Sequence, residues 1–362
     1  MVSMIGGRMD FAYIFPAVRG VQAKKDYYIT MIPLKYLVKI LPEPGEYLPP
    51  EFRAQRRINE QRIPGMKSYV IDNRDSYIFS SLTASIDGEF HFEEKGIDNV
   101  GCLHISMDAK ILINDGQHRR AAIAQALLED DSLEDETISV VFYEDRGLKQ
   151  SQQMFSDLNM NAQKSSNSIN TCFETRDALA VSTKKIVSEI PFLSKYTDFE
   201  KDNLGKNSSK LFTLYVIYRV NKKILGKTDI SNSDEVFLNR FWQTVVDNIP
   251  EWTDLERKEI TKKDLREEYV TTLGVTLLSF SRIGSWLYNN EQNDVEKYIS
   301  KFSAIDWQRS NPLWKERMIR ANGKIINNET AICLIGNAIK SEIGMPLTKE
   351  EEKKEKAFEV MT

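Results

Sequence analysis

The chain has 362 residues, 41% of them hydrophobic and 28% charged, with a formal net charge of −4. These values describe an ordinary globular protein, and the length favours two domains over a single core. No apolar window reaches the length of a bilayer span, residues 1–8 lack a secretory pattern, and Cys102, Cys172 and Cys333 are too few and scattered for a disulfide framework, so a cytoplasmic protein with reduced thiols is expected.

The first third reads as strand-rich. Residues 27–32 alternate as a strand, 34–41 suit a short helix, and Pro42-Glu43-Pro44-Gly45 is a breaker. Residues 51–63 read as a helix carrying Arg53, Arg56, Arg57 and Arg62, ended by Pro64-Gly65. Segments 69–71, 77–79 and 89–92 suggest further strands, 110–114 a buried strand, 119–128 a helix and 137–143 another strand. This order is mixed α/β. Residues 151–158 are helical, 159–162 a turn, and the polar stretch 164–168 leads into a second region. There, amphipathic helices are expected over 175–190, 208–225, 237–248, 269–288, 295–302 and 329–343. The fold class is therefore an α/β domain over 1–165, an all-α domain over 166–348, and a charged tail over 349–362 that reads as a solvated or frayed end.

Charge is unevenly spread. Residues 129–145 carry eight acidic and no basic side chains, while 206–227 carry six basic (Lys206, Lys210, Arg219, Lys222, Lys223, Lys227) and no acidic ones. Local potential decides whether a polyanion is attracted, so the net charge leaves DNA binding permitted. A zinc site is not indicated: Cys102 with His104 is the only close Cys/His pairing. His91 and His104 fall in strand-like segments and read as bystanders, and no metal site is expected.

The strand-to-helix corner Asp115-Gly116-Gln117-His118-Arg119 is the most informative feature. Asp115 suits a helix cap, Gly116 permits close approach to the backbone, and Arg119 projects from the first turn. A helix start of this kind favours anions, phosphate above all. An Asp-Gly cap before a helix is also an ordinary turn, and alone that reading wins. The crowding of His118, Arg119 and Arg120 into a first turn tilts it, because cations there oppose the helix dipole unless an anion or carboxylate offsets them.

Residues 115–119 match the signature of the DGQHR-domain proteins, whose best-known members are the DndB proteins of bacterial DNA sulfur modification (phosphorothioation). Residues 50–57 and 81–88 resemble that family's upstream blocks, 155–159 its downstream block, and 307–314 with Gly323-Lys324-Ile325 its C-terminal block. More distantly, Gly116-Gln117-His118-Arg119 followed by Ala121-Ala122 is similar to the Gly-Glu-Arg-Arg-x-x-Ala box of the ParB/sulfiredoxin superfamily, whose turn cradles nucleotide phosphates. Gln117 stands where sulfiredoxins carry their cysteine nucleophile, which excludes sulfinic acid reduction. Asn159 resembles the Asn of that superfamily's second ligand-contacting segment; its other reading is a turn residue in a left-handed or Asx conformation.

Three constellations follow. Asp115, Gly116, Gln117, His118, Arg119 and Asn159 are the candidate phosphate or nucleotide site. Arg53, Arg56 and Arg57 share one helical face and could line up along a phosphate backbone, or pair with Glu51 and Glu60 in solvent. Lys210, Arg219, Lys222 and Lys223 form a basic face, although cations near a helix C-terminus are favourable for dipole reasons alone. The resemblance implies a DNA-binding accessory or regulatory protein of a phosphorothioation gene cluster, with double-stranded DNA and other proteins of the system as partners, no membrane, and a homo-oligomer left open. The alternative is an NTPase or DNA nickase that uses His118 in acid/base work and Asp115 to organise a metal, with a nucleotide and Mg as the cofactor it would need.

Overall fold

The strand-rich first third closes into one mixed sheet in the computed structural model, which describes residues 2–5, 8–41, 58–145, 147–160, 165–205, 207–290 and 292–361. Its strands are β1 (Val2–Ile5), β2 (Arg8–Gln22), β3 (Lys25–Pro33), β4 (Leu82–Asp87), β5 (Phe90–Ile97), β6 (Val100–Ser106), β7 (Lys110–Asp115) and β8 (Thr137–Glu144). They lie in the order β5-β6-β2-β3-β8-β4-β7, with β1 paired to β2. β4 runs parallel to β8 and antiparallel to β7. β4 is covered on both sides: every residue from Leu82 to Ile86 is buried, with Leu82, Ala84 and Ile86 on one face and the polar Thr83 and Ser85 on the other. β3 alternates instead, with Tyr28, Thr30 and Ile32 inward and Ile29 and Met31 outward.

Helices α1 (Leu34–Ile40), α2 (Ile63–Asp72) and α3 (Gln117–Glu129) pack together over a core that includes Leu37, Val70, Leu82, Ile113, Ile123 and Val140. α4 (Leu148–Met160) packs against β7. The chain divides here into two units, Met1–Gln163 and Lys164–Thr362.

The second unit is helical: α5 (Asn167–Phe173), α6 (Ala178–Glu189), α7 (Pro191–Tyr196), α8 (Leu214–Leu225), α9 (Asn232–Asn248), α10 (Pro250–Glu256), α11 (Lys262–Glu268), α12 (Gly274–Asn290), α13 (Val295–Ile299), α14 (Glu329–Glu342) and α15 (Lys349–Met361). One two-residue parallel pairing, β9 (Thr197–Asp198) with β10 (Phe212–Thr213), interrupts them. α12 is the axis, with ten buried residues and contacts to α8 and α14. At Gly284 a Cβ would stand 2.6 Å from Ile224 Cδ1, so α8 and α12 approach closely only because that position lacks a side chain. Trp242, Trp252, Trp307 and Trp314 are fully buried. Trp242 Nε1 donates to the buried Asn221 at 2.7 Å, which in turn donates to Thr183.

The α/β-then-all-α class holds, and several elements differ from expectation. Residues 69–71 are helical, part of α2, and 77–79 have no regular structure. Pro64-Gly65 opens α2 instead of closing a helix, because a first-turn proline lacks only an amide that would have no intrahelical acceptor. Asn159 and Met160 belong to α4, and the rest of that expected turn lies outside the described residues. α8 starts at Leu214 and not at 208, since Phe212 and Thr213 are held in β10 and the Thr213 hydroxyl caps the helix. Similarly, α12 starts at Gly274: Tyr269 forms a bridge with Gln308. The tail is no frayed end. It forms α15, whose Glu351 is 1% exposed and bonded to the equally buried Lys340 of α14 at 2.9 Å and to Arg282 at 2.7 Å.

Candidate functional site

β7 delivers Asp115 to the corner and Gly116 turns it, with φ +104° as the residue preceding α3. A Cβ on Gly116 would stand 2.7 Å from Leu82 Cγ, so glycine is required both for the left-handed backbone and for packing against β4. Asp115 does not cap the helix; α3 has no side-chain cap. Its carboxylate instead accepts from Arg119 Nη2 at 2.5 Å. That is the carboxylate that offsets a first-turn cation.

Nor does Arg119 project freely from the first turn. Its Nη1 donates to the Ser80 carbonyl at 2.7 Å, to the Ser81 carbonyl at 2.9 Å and to the Ser80 hydroxyl, and the side chain is only 13% exposed. The guanidinium thus ties the chain entering β4 to the end of β7. Arg120 is buried and donates through Nε to the Leu41 carbonyl and through Nη2 to the Val38 carbonyl, both at 2.9 Å, satisfying the C-terminal end of α1. His118 Nε2 accepts from the Asn59 amide at 2.9 Å, which fixes that nitrogen as unprotonated in this arrangement. Gln117 is buried, and its Nε2 has no hydrogen-bond partner among the described residues. Asn114, one residue before Asp115, is buried too: its Oδ1 accepts from Ser85 while its Nδ2 has no partner among the described residues. The Asn159 side chain lies outside the described residues, as do Arg53, Arg56 and Arg57. Among the described residues no group of three His, Cys, Asp or Glu side chains is arranged to hold a metal. His91 and His104 stack at 4.3 Å on β5 and β6, and burial lowers the His91 pKa, with the neighbouring His104 adding to the effect.

The basic segment around α8 is compensated in space although not along the chain. Lys223 pairs with Glu329 at 3.1 Å, Lys227 with Asp234 at 2.7 Å, and Lys210 Nζ donates to the Lys195 carbonyl at 2.7 Å. Arg219 and Lys222 have no carboxylate partner among the described residues. Arg219 lies over the Tyr215 ring and Lys222 over the Tyr218 ring, each at 6.0 Å, and the two tyrosines stack at 6.3 Å. Tyr218 donates to Asp177, and burial together with that carboxylate raises its pKa beyond the ordinary phenol range.

Arg219 also lines a cleft of about 680 Å³ with Tyr215, Lys263, Arg266, Arg309 and the start of α12. Burial pushes the Arg266 and Arg309 guanidiniums below their ordinary value. Their hydrogen bonds go to backbone: Arg266 to the carbonyls of Ser208 and Lys210, Arg309 to those of Tyr269 and Arg266. Sequence reasoning missed both residues. They come from separate segments, and nothing local marks either.

A family model described as DndB, DNA-sulfur modification-associated, matches residues 15–346, nearly the whole chain. No curated protein matches, and no solved structure matches.

Proposed function

The chain belongs to the DndB family of DNA-sulfur modification-associated proteins, and from that premise we propose that it is a DNA-binding accessory protein of the modification system that regulates transcription of the modification genes. The observation that carries the reading is the α8 surface, where the exposed Lys222 and half-buried Arg219 have no carboxylate partner among the described residues. Cations left unneutralised on a rigid helix attract a polyanion and contact phosphate, which positions a protein on duplex DNA without specifying sequence. The Gly116 corner, with its likeness to the ParB/sulfiredoxin turn, contributes in this reading by fixing the sheet edge and not by gripping phosphate through Arg119.

The test is fluorescence anisotropy of a labelled duplex carrying the promoter of the modification genes, beside a scrambled duplex of equal length, across a salt series. Binding of both duplexes that weakens with salt, with tighter binding to the promoter, supports a regulator. Absence of binding to either duplex at low salt overturns it.

A further inference from the structure

The cleft beside α8 gathers cations of which the DNA reading uses only Arg219. Three guanidiniums, Arg219, Arg266 and Arg309, line it together with Lys263. Two carboxylates share the lining, and neither pairs with a guanidinium there. Asp202 accepts from the amides of Asn167 and Ser168, each at 2.8 Å; burial pushes its pKa up, but those hydrogen bonds outweigh it and hold the carboxylate low. Glu267 is exposed and stands 4.0 Å from Lys263. Among the described residues the Arg219 guanidinium makes no hydrogen bond, and Arg309 donates only through Nε and Nη2, with no partner there for Nη1.

The same cleft takes in Thr272, Leu273 and Gly274, where the 17-residue helix α12 begins. First-turn amides of a helix have no intrahelical acceptor and carry the positive end of its dipole. A Cβ on Gly274 would meet nothing nearer than Val216 Cγ2 at 3.9 Å, so the backbone there is open to approach. Tyr215 lines the cleft as well, with Arg219 over its ring at 6.0 Å and Tyr218 stacked with it at 6.3 Å.

From this juxtaposition we propose that the cleft in the helical unit binds a nucleotide, with its phosphate held by Arg219, Nη1 of Arg309 and the first amides of α12, and its base against Tyr215. A cavity of about 680 Å³ is of the size that encloses such a molecule. Arg219 has no carboxylate partner among the described residues, and burial has partly stripped Arg309 of water with Glu267 offsetting only part of that cost, so both gain when planar, charge-assisted hydrogen bonds to a phosphate form. Arg219 belongs to both readings, whereas Lys222 and Lys223 do not line the cleft, so exchanging those two lysines separates the nucleotide site from a DNA contact of α8.

Isothermal titration calorimetry of the full chain with AMP, adenosine, ribose 5-phosphate and inorganic phosphate tests the assignment. AMP is expected to bind more tightly than ribose 5-phosphate or phosphate, and adenosine to give no measurable heat. Arg219→Gln, which breaks no hydrogen bond of the fold, is expected to weaken AMP on the order of ten-fold or more. Lys222→Gln/Lys223→Gln keeps the wild-type AMP affinity. No heat with AMP, equal affinities for AMP and adenosine, or an Arg219→Gln variant that binds AMP like wild type would each overturn the proposal. Loss of AMP binding in the Lys222/Lys223 variant would do the same, by moving the ligand to the exposed face. A competing arm with a 5′-phosphorylated oligonucleotide distinguishes the sources: displacement of AMP assigns the phosphate to a nucleic acid strand, and its absence to a free nucleotide.

Discussion

Arg119 and Arg120 at the Gly116 corner and Arg219 and Arg309 at the α8 cleft are chemically alike, and the fold uses them differently. At the corner, the guanidinium hydrogen bonds recorded for Arg119 and Arg120 end on the Asp115 carboxylate, the Ser80 hydroxyl or main-chain carbonyls of Ser80, Ser81, Leu41 and Val38. At the cleft, among the described residues, Arg219 donates to nothing in the protein and Arg309 keeps part of its fork unused. Density of cations in a sequence therefore does not measure charge available to a ligand. What decides it is whether carbonyls and carboxylates from other segments arrive first, and the corner sits at a sheet edge where they do.

The largest effect should come from charge the fold has consumed most completely. Glu351→Ala on α15 leaves Lys340, whose side chain is 2% exposed, without its carboxylate, and should destabilise the chain by about 3 to 5 kcal/mol in urea unfolding. Burial already lowers the Lys340 pKa, with the Glu351 hydrogen bond opposing it, so the unpaired amine would also shed its proton more readily. Adding Lys340→Met should recover much of the loss. A single variant as stable as wild type would return the tail to a solvated end.

Next comes Glu251 of α10, a buried carboxyl whose Oε2 has no hydrogen-bond partner among the described residues. Burial raises its pKa from 4.5 to about 7, with the backbone opposing and Asp254 and Asp306 adding to the rise. Between those values the folded chain holds a proton that the unfolded chain has released, so stability falls as pH rises through this window and the contribution is lost above about 7. At 1.36 kcal/mol per pKa unit the loss is on the order of 3 kcal/mol. Denaturant midpoints at pH 5 and pH 8 should differ by less in Glu251→Gln than in wild type, and parallel differences would remove this carboxyl from the account.

Arg119 and Arg219 make the comparison direct. Arg119→Ala removes donors from the Ser80 and Ser81 carbonyls and unpairs Asp115, and should cost roughly 2 to 3 kcal/mol of stability. Arg219→Gln should change stability by about 0.5 kcal/mol or less, because only a ring contact is lost. Equal thermal shifts in the two variants would erase the distinction between a consumed and an available cation.

Much of the fold was legible because its periodicity is strong. The strand expected at 110–114 is Lys110–Asp115, the strand at 137–143 is Thr137–Glu144, and the helix at 329–343 is Glu329–Glu342. What failed did so for identifiable reasons. Pro64-Gly65 is punctuation that starts a helix as well as stops one, and only the 3-10 turn at Glu60–Arg62 leading into it decides which. The mixed Lys/Glu tail has the composition of a solvated helix, and its one buried acid is dictated by Lys340, eleven residues earlier on α14. At the corner, the sequence revealed the Gly116 turn and the need for a carboxylate near Arg119, while the partners Ser80 and Ser81 depend on the β4–β7 register, which no local pattern encodes. The cleft was invisible because Arg219, Arg266 and Arg309 meet only through the packing of α8, α11 and the segment after α13.

The smallest effect separates the exposed face of α8 from both of these places. Each duplex phosphate neutralised releases condensed counterions, so the logarithm of the binding constant falls against the logarithm of salt with a slope of about −0.9 per contact. Lys222 has no carboxylate partner among the described residues, whereas Lys223 is already paired with Glu329 at 3.1 Å and its exchange with DNA must break that pair. Lys222→Gln should therefore reduce the slope by about one unit, and Lys222→Gln/Lys223→Gln by between one and two, with similar weakening on promoter and scrambled duplexes because phosphate contacts carry no sequence information. Lys353→Gln/Lys354→Gln is the control: Lys354 is paired with Glu350 at 2.7 Å on α15, and the salt dependence should stay at the wild-type value. A Lys222/Lys223 variant with the wild-type slope would take α8 away from the DNA and leave Arg53, Arg56 and Arg57 as the candidates to mutate next.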